Sequence, residues 1–258
     1  MYLFLAKPRY NKEKCASTAF KQDSLHSLTW IDFSMSENIQ FFTSSYWVEK
    51  WLKDMKIINY KIDEDLLVHV KGDVNLNKSG IRVFPVRFGE VTGSFYAANN
   101  GLESLLGCPH TVGKDAWFNN NELVSAKHSP QSIGGSYGIH ENHITSFEGL
   151  PENIPGALFA HHNQITSLDN ISKKIGKTCS IFQNPLTDLS NLDFEVTDKI
   201  FFTPQAGMTY FDEYLDKLGD VDIDFVIFKK IQAMKNLENR LYQTLPINPE
   251  EHLSKPKI

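Results

Sequence analysis

Between about residue 72 and residue 205 the apolar positions recur every 21 residues. Written in rows of that length, one column holds Asn100, Asn121, Asn142, Asn163 and Asn184. Two places after it stand Leu102, Leu123, Ile144, Ile165 and Leu186; five places after it stand Leu105, Ala126, Phe147, Leu168 and Leu189. Five places before it come Phe95, Ala116, Tyr137, Leu158 and Cys179; three before it, Ala97, Phe118, Ile139, Ala160 and Ile181. Nine before it come Val91, Val112, Ile133, Ile154 and Ile175. The frame continues upstream through Val74, Leu76, Ile81 and Phe84, with Ser79 in the Asn column. Downstream it continues through Val196, Ile200 and Phe202, with Gln205 there. A helix would repeat its apolar positions about every 3.6 residues, and no row does so throughout. Two core positions spaced two apart point to one face of a short strand. Stacked rows therefore predict a parallel sheet with strands about 4.8 Å apart. An Asn amide at each strand end can satisfy backbone groups exposed by the turn, forming a buried ladder. The column of Val112 and Ile133 predicts an extended return wall, since a row this short leaves little room for a helix. No row buries its own apolar face, so stability must come from stacking.

Outside the rows the pattern changes. SSYWVEKWLKDM has a helical stripe at residues 47, 48, 51, 52 and 55, with a Ser N-cap available at 44 or 45. IINYKI and LLVHV read as strands around the acidic turn DED, the second expected to pair with DVNL. MYLFLA and NIQFF read as short strands. YFDEYLDKL, closed by Gly219, reads as a short amphipathic helix, and a longer helix is expected from about Asp222 to Thr244. The final PINPEEHLSKPKI is rich in Pro and charge and is expected to fray.

The row core, L-x-L-x-x-N-x-L at a fixed period, resembles the leucine-rich repeat. The words NHITSFEGLP and NQITSL are most similar to the short bacterial and phage subclass. Pro109, Pro130 and Pro151 fit that subclass and Ser172 departs from it. The resemblance covers about half the chain. It implies an α+β fold: a leucine-rich repeat solenoid with parallel strands on a concave face and an extended convex side. A small α/β N-terminal cap would span 1–71, the solenoid 72–205, and a helical C-terminal cap and tail 206–258.

The chain has 258 residues, 41% hydrophobic and 22% charged, which suits a globular protein rather than wholesale disorder. A net charge of -5 and a pI near 6.0 exert no general pull toward nucleic acid or anionic membrane. No apolar run approaches the roughly 18 to 20 residues of a spanning helix, and MYLFLAKPRY lacks the basic front and long apolar stretch of a secretory signal. Cys15, Cys108 and Cys179 are too sparse for a disulfide framework or paired zinc ligands, so a cytoplasmic setting is expected.

On each strand the residues alternating with the core face outward. One outward column is Tyr96, Trp117, Gly138, Phe159, Ser180 and Phe201; the next is Ala98, Asn119, His140, His161, Phe182 and Thr203. Aromatics gathered on one face mark an interaction surface. The alternative is that they pack against a cap, another subunit or one another. Tyr96, Trp117, Asn119, His140, Phe159, His161, Phe182 and Phe201 are the candidate partner-binding residues. His140 and His161 share a column and should lie about 5 Å apart, with Glu141, His143 and His162 near in sequence. The repeat frame alone explains that pairing and no enzyme's ligand spacing appears, so no metal or cofactor is assigned. Polar contacts to a partner, modulated by pH, are preferred.

No phosphate loop, G-x-S-x-G or H-E-x-x-H occurs, and the frame accounts for the glycines of SIGGSYG. Cys15 with His26 is a weak candidate for nucleophile and base. The expectation is a non-enzymatic module that binds a protein partner through the concave face. The resemblance implies a host protein as partner and inhibition of a host factor as the role. The alternatives are an enzyme with a small N-terminal catalytic domain, whose repeats choose the substrate, or a structural homo-oligomer.

Overall fold

The computed structural model describes residues 41–191, 193–205, 208–214 and 219–244. Helix α1 (Ser45–Asp54) forms where the stripe predicts it and buries Val48 and Leu52. Trp51 and Met55 pack beside them, half-buried. Ser44 sits at the N-cap in an extended conformation, without a side-chain capping bond. Next comes the antiparallel hairpin β1 (Tyr60–Ile62) and β2 (Leu67–Val70). Asp63 tightens its turn, its Oδ1 accepting from the N–H groups of Asp65 (3.0 Å) and Leu67 (2.8 Å). Those backbone bonds, above all Leu67's, hold the Asp63 carboxyl below its ordinary range.

From β3 onward the chain alternates between two walls. The inner wall is β3 (Val74–Asn75), β5 (Phe95–Tyr96), β7 (Ala116–Trp117), β9 (Tyr137–Gly138), β11 (Leu158–Phe159), β13 (Cys179–Ser180) and β15 (Lys199–Phe202). These seven strands are all parallel, and β16 (Val221–Asp224) adds to β15 antiparallel as the eighth. The outer wall is two sheets. β4 (Arg87–Val91), β6 (Thr111–Val112) and β8 (Ser132–Ile133) extend the hairpin; β10 (Asn153–Ile154), β12 (Lys174–Ile175) and β14 (Glu195–Val196) form the second. Every inner pairing keeps the 21-residue register: Phe95 with Ala116, Ala116 with Tyr137, Tyr137 with Leu158, Leu158 with Cys179. The result is a β-solenoid of about six turns.

Between the walls runs one apolar core from Val48 to Phe228, and the predicted core columns are buried within it except at Ile81, which packs half-buried against it. Its aromatic members interlock, Phe95 against Phe118 at 5.7 Å and Phe118 against Tyr137 at 6.0 Å. Tyr137 is wholly buried, and its hydroxyl bonds to Ser129 Oγ at 2.7 Å, so no polar atom is stranded. Burial drives that phenol above its ordinary pKa.

The Asn ladder is present. Asn142 Nδ2 donates to the carbonyls of Ile139 (3.0 Å) in its own row and Phe118 (3.1 Å) in the row before. Its Oδ1 accepts from the Leu123 N–H at 3.0 Å. Asn121, Asn163 and Asn184 repeat that set one row at a time. Immediately before each Asn the backbone turns left-handed: φ is 57° at Asn99, 55° at Asn120, 55° at Glu141, 53° at His162 and 50° at Gln183. Such a residue costs roughly 1–2 kcal/mol, and the amide bonds across the turn offset it. A second polar ladder lies at the strand entrances. Asp73, Ser94, Asp115 and Ser136 each accept the backbone N–H of the residue 21 places on.

Three expectations are corrected. LLVHV pairs in parallel with β4, Val70 opposite Val91, not with DVNL; Val70 stands in the outer-wall column one row earlier, so the outer sheet claims it. The helix expected from Asp222 begins at Phe225: α2 spans Phe225–Thr244, because Val221 and Ile223 alternate into the core as β16. In YFDEYLDKL a 3-10 helix over Thr209–Tyr214 replaces the expected α-helix, and residues 215–218 lie outside the described residues. Phe41 and Phe42 carry no strand, while MYLFLA, the rest of NIQFF, Cys15, His26 and the final PINPEEHLSKPKI lie outside the described residues. Among the described residues no helix is long and apolar enough to cross a membrane.

Candidate functional site

The outward side of the inner sheet carries two ring ladders, each set by one column of the repeat. In the first, Trp117 and Phe159 stack at 5.4 Å with a 27° tilt, although a whole row separates their strands. Gly138 makes this possible. It lies between them in register, and a Cβ there would sit 2.3 Å from Trp117 Cε3. The indole therefore folds over the glycine backbone and reaches the next ring.

In the second column the rings form a continuous pile. His140 and His161 stack at 4.4 Å and 17°, and His161 and Phe182 at 4.5 Å and 7°. Edge contacts join the columns: Trp117 to His140 at 6.3 Å, and His140 to Phe159 at 6.3 Å. His162 adds edges to His161 at 5.3 Å and to Phe182 at 5.4 Å. These five rings, Trp117, His140, Phe159, His161 and Phe182, are all half-buried.

Of the eight candidate residues the structure thus gathers Trp117, His140, Phe159, His161 and Phe182. Tyr96 stands beside Trp117 in register, and Phe201 stands on β15 beside Ser180. Among the described residues no ring contact links either of them to the group. Asn119 occupies the row before His140, half-buried, its carbonyl accepting from the Asn99 N–H at 3.0 Å. The outward columns are not uniformly open: Ala98, Gly138 and Ser180 are buried beneath their neighbours.

Burial dominates the electrostatics. It lowers the pKa of His140, against the pull of the Glu141 carboxylate, with His162 adding to the depression. His161 falls to about 4, from burial first and then from His140 and His162. Both imidazoles are thus neutral at pH 7. His161 Nδ1 lies 3.2 Å from the buried Ser180 Oγ. Buried His140 Nδ1 has no hydrogen-bond partner among the described residues. His143 turns elsewhere, its Nε2 bonding to Glu122 at 3.0 Å.

Glu141, His162 and Gly138 matter here although the candidate set omitted them. The left-handed turn at Glu141 and His162 breaks the strand's alternation, so each can crowd the residue before it. A glycine between two aromatics in one column was the only sign that a ring could cross a row. Cys108 and Cys179 are buried and burial pushes both thiols up, which makes them inert rather than nucleophilic. The Gly-rich SIGGSYG supplies close turn-to-turn approach at Gly134, where a Cβ would meet Gly113 O at 2.0 Å, and no helix follows it. The chain matches no protein-family model, no curated protein and no solved structure.

Proposed function

We propose that this protein is a non-enzymatic binding module which grips a protein partner with the outward side of its inner sheet. The observation that carries the reading is the group of Trp117, His140, Phe159, His161 and Phe182, five rings packed against one another and only half-buried. Large aromatics gathered on one face and fixed by their neighbours lose little entropy on binding, which suits them to act as anchors. Tyr96, Asn119 and Phe201 extend that surface along the same strands. We read the rows as leucine-rich repeats of the short bacterial and phage type. The segments before β3 and after β15 then serve as the caps that a solenoid's open ends require. That reading points to a host protein as partner and to inhibition of it as the role.

The test is a pull-down by the full chain, compared with the Trp117→Ala/Phe159→Ala double variant. A partner recovered by the wild type and lost by the folded variant supports the proposal. A partner retained by both would mean that another surface binds. A second reading is favoured by one observation, the direct stacking of Trp117 on Phe159 across Gly138. The rings then serve mainly to clamp successive rows. On that reading the double variant loses stability and no partner.

A further inference from the structure

We infer that His140, Glu141 and His161 form a binding site for a divalent transition-metal ion of the zinc class. Each offers a ligand atom, and the three atoms lie within 4.8 Å of one another. Two imidazoles and a carboxylate are a donor set that such ions accept, with coordination positions left for water or a partner's side chain. A tetrahedral ion about 2.1 Å from each ligand needs those atoms roughly 3.4 Å apart, a closure within reach of side-chain rotation.

Ring stacking explains why the two imidazoles are parallel, but not three other features. First, Glu141 follows His140 directly, and an ordinary strand would send the two to opposite faces. The left-handed φ of 55° that Glu141 shares with the same position of the other Asn rows lets its carboxylate come to the edge of the imidazole pair, and only this row puts a carboxylate there. Second, the buried Ser180 hydroxyl, 5% exposed, bonds to His161 Nδ1 at 3.2 Å. That contact orients the ring and leaves Nε2 as the free nitrogen, as partners of metal-bound histidines commonly do. Third, His140 Nδ1 is shielded from solvent and has no hydrogen-bond partner among the described residues. A stranded buried nitrogen is a cost, and a metal ion or a ring turned to bind one would remove it. His162 follows His161 directly and touches its ring edge-on at 5.3 Å, but it is not one of the three converging donors.

The site shares two residues with the proposed partner surface but does not depend on it, and it is measured on the isolated protein. The full chain is stripped with a chelator and titrated with Zn²⁺ by calorimetry, and with Co²⁺ by visible absorption. One ion per chain at micromolar affinity is expected, with a Co²⁺ spectrum of four or five ligands. Glu141→Gln changes an exposed side chain and should keep the fold; it and His161→Gln should each weaken binding at least tenfold. His143→Gln, whose ring pairs with Glu122 elsewhere, should bind as the wild type does. Absence of saturable uptake, or equal uptake by the Glu141→Gln and His161→Gln variants, overturns the site. So does a loss in His143→Gln as large as theirs.

Discussion

Asn142 makes the largest demand on a single residue. Its amide closes bonds to Ile139, Phe118 and Leu123, joining its own row to the row before, while 6% exposed. Alanine there strands the Leu123 N–H in the core, at about 1–3 kcal/mol, while the Phe118 and Ile139 carbonyls each keep one donor, from Asn121 and Asn163. Asn142→Ala should lower stability by roughly 1–3 kcal/mol on that scale, read as the midpoint of denaturant unfolding; Asn100→Ala, at a half-buried site, should lose less. Gly138→Ala tests the ring ladder. The new methyl must push the Trp117 indole off its seat, so native tryptophan fluorescence should shift to the red while far-UV circular dichroism stays unchanged. The cost should be about 1–3 kcal/mol, as for other overpacked sites. His161 titrates at about 4 in the folded chain and near 6.5 when unfolded. Neutral His161 therefore contributes stability fully above pH 6.5, and that contribution is lost as pH falls through 4. The melting temperature of the metal-free chain should drop across that window. The drop should be shallower in His161→Phe, which keeps a ring against Phe182.

At the scale of elements, legibility followed how many rows voted for each assignment. The core columns and the Asn ladder could be read because five rows repeat them in phase, and a helix cannot imitate a 21-residue period. The outer strands followed from row length. Elements that occur once were harder. VDID is four residues long and runs straight into the helical FVIF, so a strand and a helix start are indistinguishable by period alone. LLVHV and DVNL are adjacent in sequence but lie in different columns: Val70 falls 21 residues before Val91 in the outer wall, and Val74 falls 21 before Phe95 in the inner. Of the site, the outward columns were legible and the ring contacts were not: Gly138 has no side chain to announce that Trp117 lies over it. Nor do Glu141 and His162 announce a left-handed turn, which Asn99 and Asn120 adopt more readily. The row-to-row ion pairs on the outside, Lys173 with Glu152 at 2.7 Å and Lys127 with Glu148 at 3.3 Å, are exposed and contribute little. Replacing Lys173 with Ala should leave the unfolding midpoint essentially unchanged, in contrast to any member of the Asn ladder.

For the whole molecule, the solenoid's end is where stacking stops. Phe202 is fully buried there, against Phe211 at 4.8 Å and Phe228 at 5.5 Å. A chain ending at residue 205 loses both rings and β16, and it leaves β15 as a bare edge, an invitation to aggregate. Light scattering should find the truncated chain more associated than the full chain at equal concentration. The central claim is that rows 21 residues long lie in phase, so that one count along the chain sets the buried amides, the core and the outward rings. Exchange of the Asn side-chain amide protons, followed by NMR in deuterated solvent, tests it most directly. The account predicts slow exchange at Asn121, Asn142, Asn163 and Asn184, and fast exchange at the exposed Asn153 and Asn170. Equal, fast exchange at all six would contradict it.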